Sequence, residues 1–337
     1  MTMLLDTLGF AARSVIVFVT FTACVVVFVR ALRGRREASV EGHLEVRLVN
    51  ERLEASAQLV REASLVGPSL KAERKRLRKE HKERVPRELR IYVLDFKGDV
   101  MASAVEQLRE EVSALLAVAK PSDRVVVRLE SPGGAAHSYG LAASQLARIR
   151  ERRLPLTVCV DRVAASGGYM MACVADEIIA APFSIVGSIG VAAPVPNAHR
   201  LLERNGVDYE TATAGRFKRT VTFFGANTDE GRQKFQEQLD ETHELFKGFV
   251  KRYRPALDVE AVATGEYWHG LRGLELGLVD RLATSDDVLC ELAEKADVLA
   301  VRYRMRQSVR QRLTASAGML VERAVESAWR RLQTPML

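Results

Sequence analysis

From residue 89 onward the chain alternates short apolar runs with longer amphipathic stretches. Ile91–Phe96, Arg124–Leu129, Leu156–Val160, Asp176–Ala180 and Ser184–Gly187 have strand length and are rich in Val and Ile. Such runs predict buried strands. Between the first two, Leu108, Val112, Leu115 and Leu116 recur at helical spacing. Ser103–Glu106 has the form of a capping box that would open this helix, and Pro121 closes it. A second helix is expected over 138–150. A long one should begin at Thr228, an N-cap residue with Asp229 and Glu230 in the first turn. It runs to about Arg254, just before Pro255, with Phe235, Leu239, Phe246, Phe249, Val250 and Tyr253 as its apolar positions. A short helix end and strand follow at 275–280. Strands alternating with helices imply βαβ units and a mostly parallel sheet.

The N-terminal pattern differs. Ser14–Val29 carries no charge, and Leu8–Ala12 and Ala31–Leu32 extend it past Arg13 and Arg30. This is long enough to span a bilayer. In a cleaved leader, basic residues precede the apolar run; here Arg30, Arg33, Arg35 and Arg36 follow it. A retained single-pass anchor over 1–33, with residues near 8–32 in the membrane, is therefore expected. The positive-inside rule places everything after it in the cytoplasm. Residues 34–88 then read as a basic helical linker. Leu44, Leu48, Leu53 and Leu59 give a helical pattern over 37–65, Gly67-Pro68 breaks it, and 71–84 is almost wholly charged and mostly basic. Anionic lipid head groups and a solvated mixed-charge helix are both open readings of that run. No aromatic residue is interleaved, so it offers no stacking platform, and no nucleic-acid partner is expected. A globular domain over 89–300 and a basic amphipathic tail over 301–337 complete the organisation.

A chain of 337 residues, 47% of them hydrophobic, can bury a sizeable core, and its formal charge of +7 is concentrated in the linker and tail. Cys24, Cys159, Cys173 and Cys290 form no C-x-x-C pair, so neither a disulfide framework nor a zinc site is implied. His243-Glu244 is not followed by the second histidine of a zinc-protease helix. There is no dinucleotide fingerprint and no phosphate-binding loop. No metal and no cofactor is expected.

The segment with chemical promise is Val163–Ala172, where Ser166 follows a predicted strand and precedes Gly167-Gly168 and an apolar stretch. A helix starting at Gly167 would aim free N–H groups at whatever lies beside Ser166, which suits a developing oxyanion. A small-residue helix packed tightly on a sheet would carry the same residues. A nucleophilic serine needs a base. Lys218, in Gly215-Arg-Phe-Lys218-Arg219, is one candidate, and a basic surface loop is the plainer reading of that segment. A lysine with its ordinary pKa of about 10.4 is almost wholly protonated near neutrality, so it must be desolvated to act as a base.

Taken in order, Glu130-Ser-Pro-Gly-Gly134, Ala164-Ala-Ser-Gly-Gly-Tyr-Met170, Ile185-Val-Gly-Ser-Ile-Gly190 and Gly215-Arg-Phe-Lys218 resemble the signal peptide peptidase A (protease IV) family, most closely its SohB branch. The resemblance covers nearly the whole chain and implies a ClpP/crotonase-like α/β fold with a serine–lysine dyad in a serine peptidase. Ser166 would be the nucleophile, Lys218 the general base, Gly134 and Gly167 the oxyanion donors, and Ser188 the residue that orients the lysine. It also implies extended, hydrophobic peptide or protein substrates, a bacterial inner-membrane location and a homo-oligomeric ring or dome with sites at subunit interfaces. Ser166 and Lys218 of one site could then come from different chains. The chain has one peptidase domain rather than a tandem pair, and the orientation read above is opposite to that of many relatives. A non-hydrolytic scaffold of the same fold and a crotonase-like acyl-CoA enzyme are the rival functions.

Overall fold

In the computed structural model, residues 42–82, 85 and 87–305 are described. The anchor expected over 1–33 and the tail beyond residue 305 lie outside the described residues. Among the described residues no helix is long and apolar enough to cross a membrane. The compact unit runs from Leu44 to Arg304.

Its centre is a seven-stranded sheet in the order β1-β10-β2-β3-β4-β6-β9. β2 (Arg90–Lys97), β3 (Arg124–Glu130), β4 (Leu156–Val160), β6 (Glu177–Ala180), β9 (Arg281–Leu282) and β10 (Asp297–Arg304) pair in parallel. Val93, Val126 and Val127, central in their strands, are almost fully buried, as a parallel sheet covered on both faces requires. On one face lie α3 (Val105–Val118) and α4 (Ala136–Glu151), presenting Leu108, Val112, Leu115, Leu146 and Ile149. The long α7 (Asp229–Tyr253) adds Phe246 and Val250 to that core. On the other face α1 (Val49–Ala63) and α10 (Ser285–Lys295) contribute Val49, Val288 and Leu289. The architecture is α/β with a mostly parallel sheet.

A second, three-stranded sheet holds β5 (Val163–Ala165), β7 (Ile185–Gly187) and β8 (Tyr267–His269). β5 and β7 are parallel, β7 and β8 antiparallel. The short α5 (Gly167–Ala172) follows β5 directly.

The strands expected at 91–96, 124–129, 156–160, 176–180 and 184–187 all form, and Thr228 caps α7 by accepting from Gly231 N. Three local expectations fail. Residues 43–48 form β1, an edge strand, instead of helix; with Val49 and Asn50 buried behind it, this part of the linker belongs to the fold. Residues 301–304 continue β10 instead of opening a helix. Ser103 makes no capping box: its hydroxyl and N–H both donate to Asp99, and α3 begins after Ala104 without a side-chain cap. Asp99 offers the closer acceptor and draws Ser103 into a turn.

Asn50 is the strongest tie between the N-terminal segment and the sheet. Its Nδ2 donates to Ala293 O and Ala296 O, and its Oδ1 accepts from Val298 N. Removing all three leaves the buried Val298 N–H unsatisfied, while Ala293 O and Ala296 O keep the Arg87 guanidinium, so Asn50→Ala should destabilise the domain by about 1–3 kcal/mol, measurable by denaturant unfolding.

Glu111 on α3 is buried, and its carboxylate accepts from Tyr303 N at 2.7 Å. Burial pushes its carboxyl up to about 7 from 4.5, with the nearby Asp95 acting in the same direction, while the Tyr303 N–H and Arg302 oppose it. The folded chain therefore keeps this proton to higher pH than the unfolded chain does. The stability it contributes is complete below about pH 4.5 and is lost as the pH rises through about 7. Glu111→Gln should remove that loss, gaining about 3 kcal/mol relative to the parent between pH 5 and pH 8. Melting curves of both proteins at the two pH values check it.

Candidate active site

The site forms where β3 ends against β5. Ser131, buried just beyond β3, bridges to Ala164. Its N–H donates to Val163 O and its carbonyl accepts from Ala165 N, at 2.8 and 3.0 Å. Its hydroxyl lies 2.5 Å from the Tyr139 hydroxyl and accepts from Gly133 N at 3.1 Å. Tyr139 in turn donates to Asp99 O at 2.8 Å. With that proton assigned, the Ser131 hydroxyl is the donor to Tyr139. The turn at 132–135 is thus held from below by one side-chain network and from the side by Ala135 N donating to Val100 O.

Ser166 sits over this turn, half-buried, between β5 and α5. Its backbone is in the left-handed region, φ 52° and ψ −119°. Its N–H donates to Gly187 O at 2.8 Å. Because β5 and β7 run parallel with Ala165 opposite Gly187, the residues after them stand side by side. Ser188 is accordingly the neighbour of Ser166, and it too has a left-handed backbone, φ 51°. The Ser188 N–H donates to Glu266 O at 2.7 Å and its hydroxyl to Gly265 O at 3.4 Å. Among the described residues four non-glycines have positive φ: Ala102, Arg153, Ser166 and Ser188. Three of these border the site, where backbone strain tends to be retained for function.

Two glycines explain why the serine is accessible. A Cβ on Gly133 would stand 2.7 Å from Ser166 Cβ and 2.9 Å from Gly167 N, covering that N–H. A Cβ on Gly167 would enter the Tyr139 ring. Gly134 is exposed, and its N–H has no partner among the described residues, whereas that of Gly133 is engaged by Ser131. Gly167 opens α5, where N–H groups lack intrahelical partners. Two unengaged N–H groups therefore flank Ser166.

Lys218 is not brought to this cluster. It lies exposed, with its N–H on Gly215 O, and no hydrogen bond or ion pair joins it to Ser166 or Ser188. Its neighbours tie the segment to the start of α7: Arg216 pairs with Glu230 at 2.5 Å, and both Arg216 and Lys234 stack over the Phe217 ring. Ser131, Tyr139 and Asp99 escaped sequence reasoning. A serine, a tyrosine and a backbone carbonyl carry no pattern of their own, and only the close approach forced on Gly133 and Gly167 marks them.

Two family descriptions match adjoining parts of the chain: "Peptidase family S49 N-terminal" over residues 2–146 and "Peptidase family S49" over residues 148–299. A protein named "Probable protease SohB" from Haemophilus influenzae is 57% identical over 219 residues, which is 65% of this chain and 62% of that relative. One of the same name from Buchnera aphidicola is 53% identical over 227 residues, 67% of this chain and 68% of the relative. The match thus spans less than two thirds of the first relative's length. A solved membrane-bound stomatin-specific protease in complex with a substrate peptide aligns with 69% of this chain and 99% of its own at 12% identity, with a TM-score of 0.42. That likeness is too slight to argue from.

The backbone at Ser166 gives a direct test of strain. Glycine adopts φ near 52° freely, whereas alanine does not. Ser166→Gly should therefore exceed Ser166→Ala in stability by about 1 kcal/mol, a rise in Tm of about 2–4 °C. Equal melting temperatures would mean that the turn is not strained.

Proposed function

The chain belongs to peptidase family S49, the signal peptide peptidase A (protease IV) family, within its SohB branch, and from that premise we propose that it hydrolyses peptide bonds by a serine–lysine dyad of Ser166 and Lys218. The observation that carries this reading is Ser166 itself: a half-buried hydroxyl on a left-handed turn, flanked by the unengaged N–H groups of Gly134 and Gly167. Ser166 Oγ attacks the scissile carbonyl carbon and passes its proton to Lys218 Nζ. The carbonyl oxygen becomes an oxyanion between the two N–H groups, whose fixed dipoles stabilise it without reorganisation. Lys218 returns the proton to the leaving amine as the C–N bond breaks, leaving an ester on Ser166. Lys218 then takes a proton from water, which attacks the ester, and passes that proton to Ser166 Oγ as the C–O bond breaks and the acid is released.

Lys218 must be desolvated for this role, and in the single chain it is exposed. The same segment leaves Val207, Tyr209, Phe217, Phe223 and Phe224 between 37 and 49% exposed, apolar surface suited to cover by a second copy. We take the working unit to be a homo-oligomer in which a neighbouring chain buries this segment and completes the site, with Ser188 orienting the lysine. Val100 and Met101, 69 and 58% exposed beside the 133–135 turn, support an extended apolar peptide as substrate. The fold is read as ClpP/crotonase-like, and the peptidase domain expected over 89–300 is widened to Leu44–Arg304, because β1 and the end of β10 belong to its sheet. Residues 8–32 are read as an inner-membrane anchor with the peptidase on the cytoplasmic side. The exposure of Lys218 is the one observation that favours a non-hydrolytic scaffold instead.

Both readings meet in one experiment. The detergent-purified protein, Ser166→Ala and Lys218→Ala are assayed singly and as a refolded mixture on an unstructured apolar polypeptide. Each single variant should lose at least about 10³-fold in kcat/KM. The mixture should recover up to about a quarter of parental activity if one site draws on two chains, and none if each chain is self-sufficient. A Lys218→Ala protein of near-parental activity would remove the lysine from the mechanism. An assembled parent that cleaves nothing would leave the scaffold.

A further inference from the structure

Beyond the sheet, α1 and α2 (Pro68–Lys82) form a helical hairpin that turns at Gly67. Its arms are joined by Arg74, whose guanidinium donates twice to Glu62. The tip of this hairpin is apolar and bare. Leu59, Val60 and Val66 are 71, 74 and 83% exposed. Behind them the first turns of α2 carry Lys71, Arg74, Lys75 and Arg76 against Glu73. Lys71 and Lys75 form no ion pair among the described residues, whereas Arg74 and Arg76 pair with Glu62 and Glu73.

An apolar tip collared by free cations has a specific complement. Burying the tip removes apolar area from water, and the cations gain from a negatively charged surface at the same level. An anionic lipid bilayer supplies both, with acyl chains beneath a layer of phosphates. Nucleic acid fits poorly: it would meet the cations but leave the tip in water, and residues 49–82 contain no Phe, Tyr or Trp for stacking. A protein groove would bury the tip without needing a collar of unpaired lysines.

We infer that the 59–76 hairpin tip docks on the anionic phospholipid surface of a membrane, inserting Val66 and its apolar neighbours between head groups that Lys71 and Lys75 contact. This is a second membrane contact, separate from the Ser166 chemistry and from the run at 8–32, and it would fix the orientation of the domain on the bilayer. It needs neither the dyad nor an active enzyme.

The test places an environment-sensitive fluorophore at Val66→Cys in the full chain, with Cys24 and Cys290 replaced by Ser. The labelled protein is reconstituted with phosphatidylcholine vesicles or with vesicles containing about one third phosphatidylglycerol. Docking predicts a blue-shifted emission only with the anionic vesicles. The response should be lost at about 0.5 M salt, because screening shortens the reach of surface charge. Lys71→Glu/Lys75→Glu should weaken it by on the order of tenfold or more in anionic-lipid concentration. That variant should melt with the parent, since neither lysine side chain has a partner among the described residues. No shift on either vesicle, or an equal shift on both, overturns the proposal. A shift without lipid that grows with protein concentration, or one produced by duplex DNA alone, also overturns it and assigns the tip to a protein or nucleic-acid partner. Peptidase assays on the same samples keep this result apart from the dyad: loss of cleavage with the shift intact leaves the docking standing.

Discussion

Ser131 makes hydrogen bonds with its N–H, its carbonyl and its hydroxyl, all inside the protein. The two backbone groups stitch the large sheet to the small one through β5. The hydroxyl holds the glycine turn and the Tyr139 phenol. A buried polar group left unpaired costs about 1–3 kcal/mol, so each of these bonds fixes its partner as much as it is fixed by it. Consequently the position of Ser166, at the end of β5, and that of Gly134, in the turn after β3, are set by one residue. The Tyr139 ring beneath Gly167 and the Tyr139 hydroxyl on Asp99 O extend the same constraint to α5 and to the 98–102 turn. A site built this way is preorganised by its scaffold.

The strain at Ser166 and Ser188 has its support in the same place. Each left-handed non-glycine residue costs of order 1–3 kcal/mol. On the far side of Ser166, α5 buries Tyr169, Met171 and Ala172 completely, with the Tyr169 hydroxyl donating to Leu278 O. Burial of the two large side chains alone offers about 1.5–3 kcal/mol each, enough to hold the turn. On the far side of Ser188, the Trp268 ring closes over Gly187, and Glu266, just before β8, supplies a carbonyl to the Ser188 N–H. Parallel pairing of β5 and β7 makes the two turns neighbours, so two serines far apart in sequence present hydroxyls at one edge.

Legibility in the sequence followed the strength of the local signal. β2, β3, β4, β6 and β7 were readable because continuous runs of Val and Ile allow little else between two covered faces. The strand–turn–helix around Ser166 was readable because an apolar run meets a lone hydroxyl and a pair of glycines, a pattern that suits a small-residue helix packed on a sheet as well as a catalytic turn. β1 was missed although His43–Leu48 alternates polar and apolar residues as a strand does, because Leu44, Leu48, Leu53 and Leu59 together mimic a helical period. The start of α3 was misread because Asp99 competes for Ser103, a contest between two nearby acceptors that no spacing rule resolves. Lys218 was identified by motif alone. The structure leaves it exposed, with its N–H on Gly215 O.

The two S49 matches divide the chain at residues 146 and 148, inside α4, yet the fold does not divide there. β2, β3 and the turn carrying Gly134 belong to the first part, Ser166 and Ser188 to the second. The sheet order sets β3 of the first beside β4 of the second. Asn50 and Arg87, both from the first part, donate to the same two carbonyls, Ala293 and Ala296, at the far end of the second. Neither part could bury its own strands or complete its own hydrogen bonds alone. The turn carrying Gly134 and the turn carrying Ser166 therefore come from segments that fold only together, and the N-terminal segment is as much a part of their scaffold as the strand that precedes the serine.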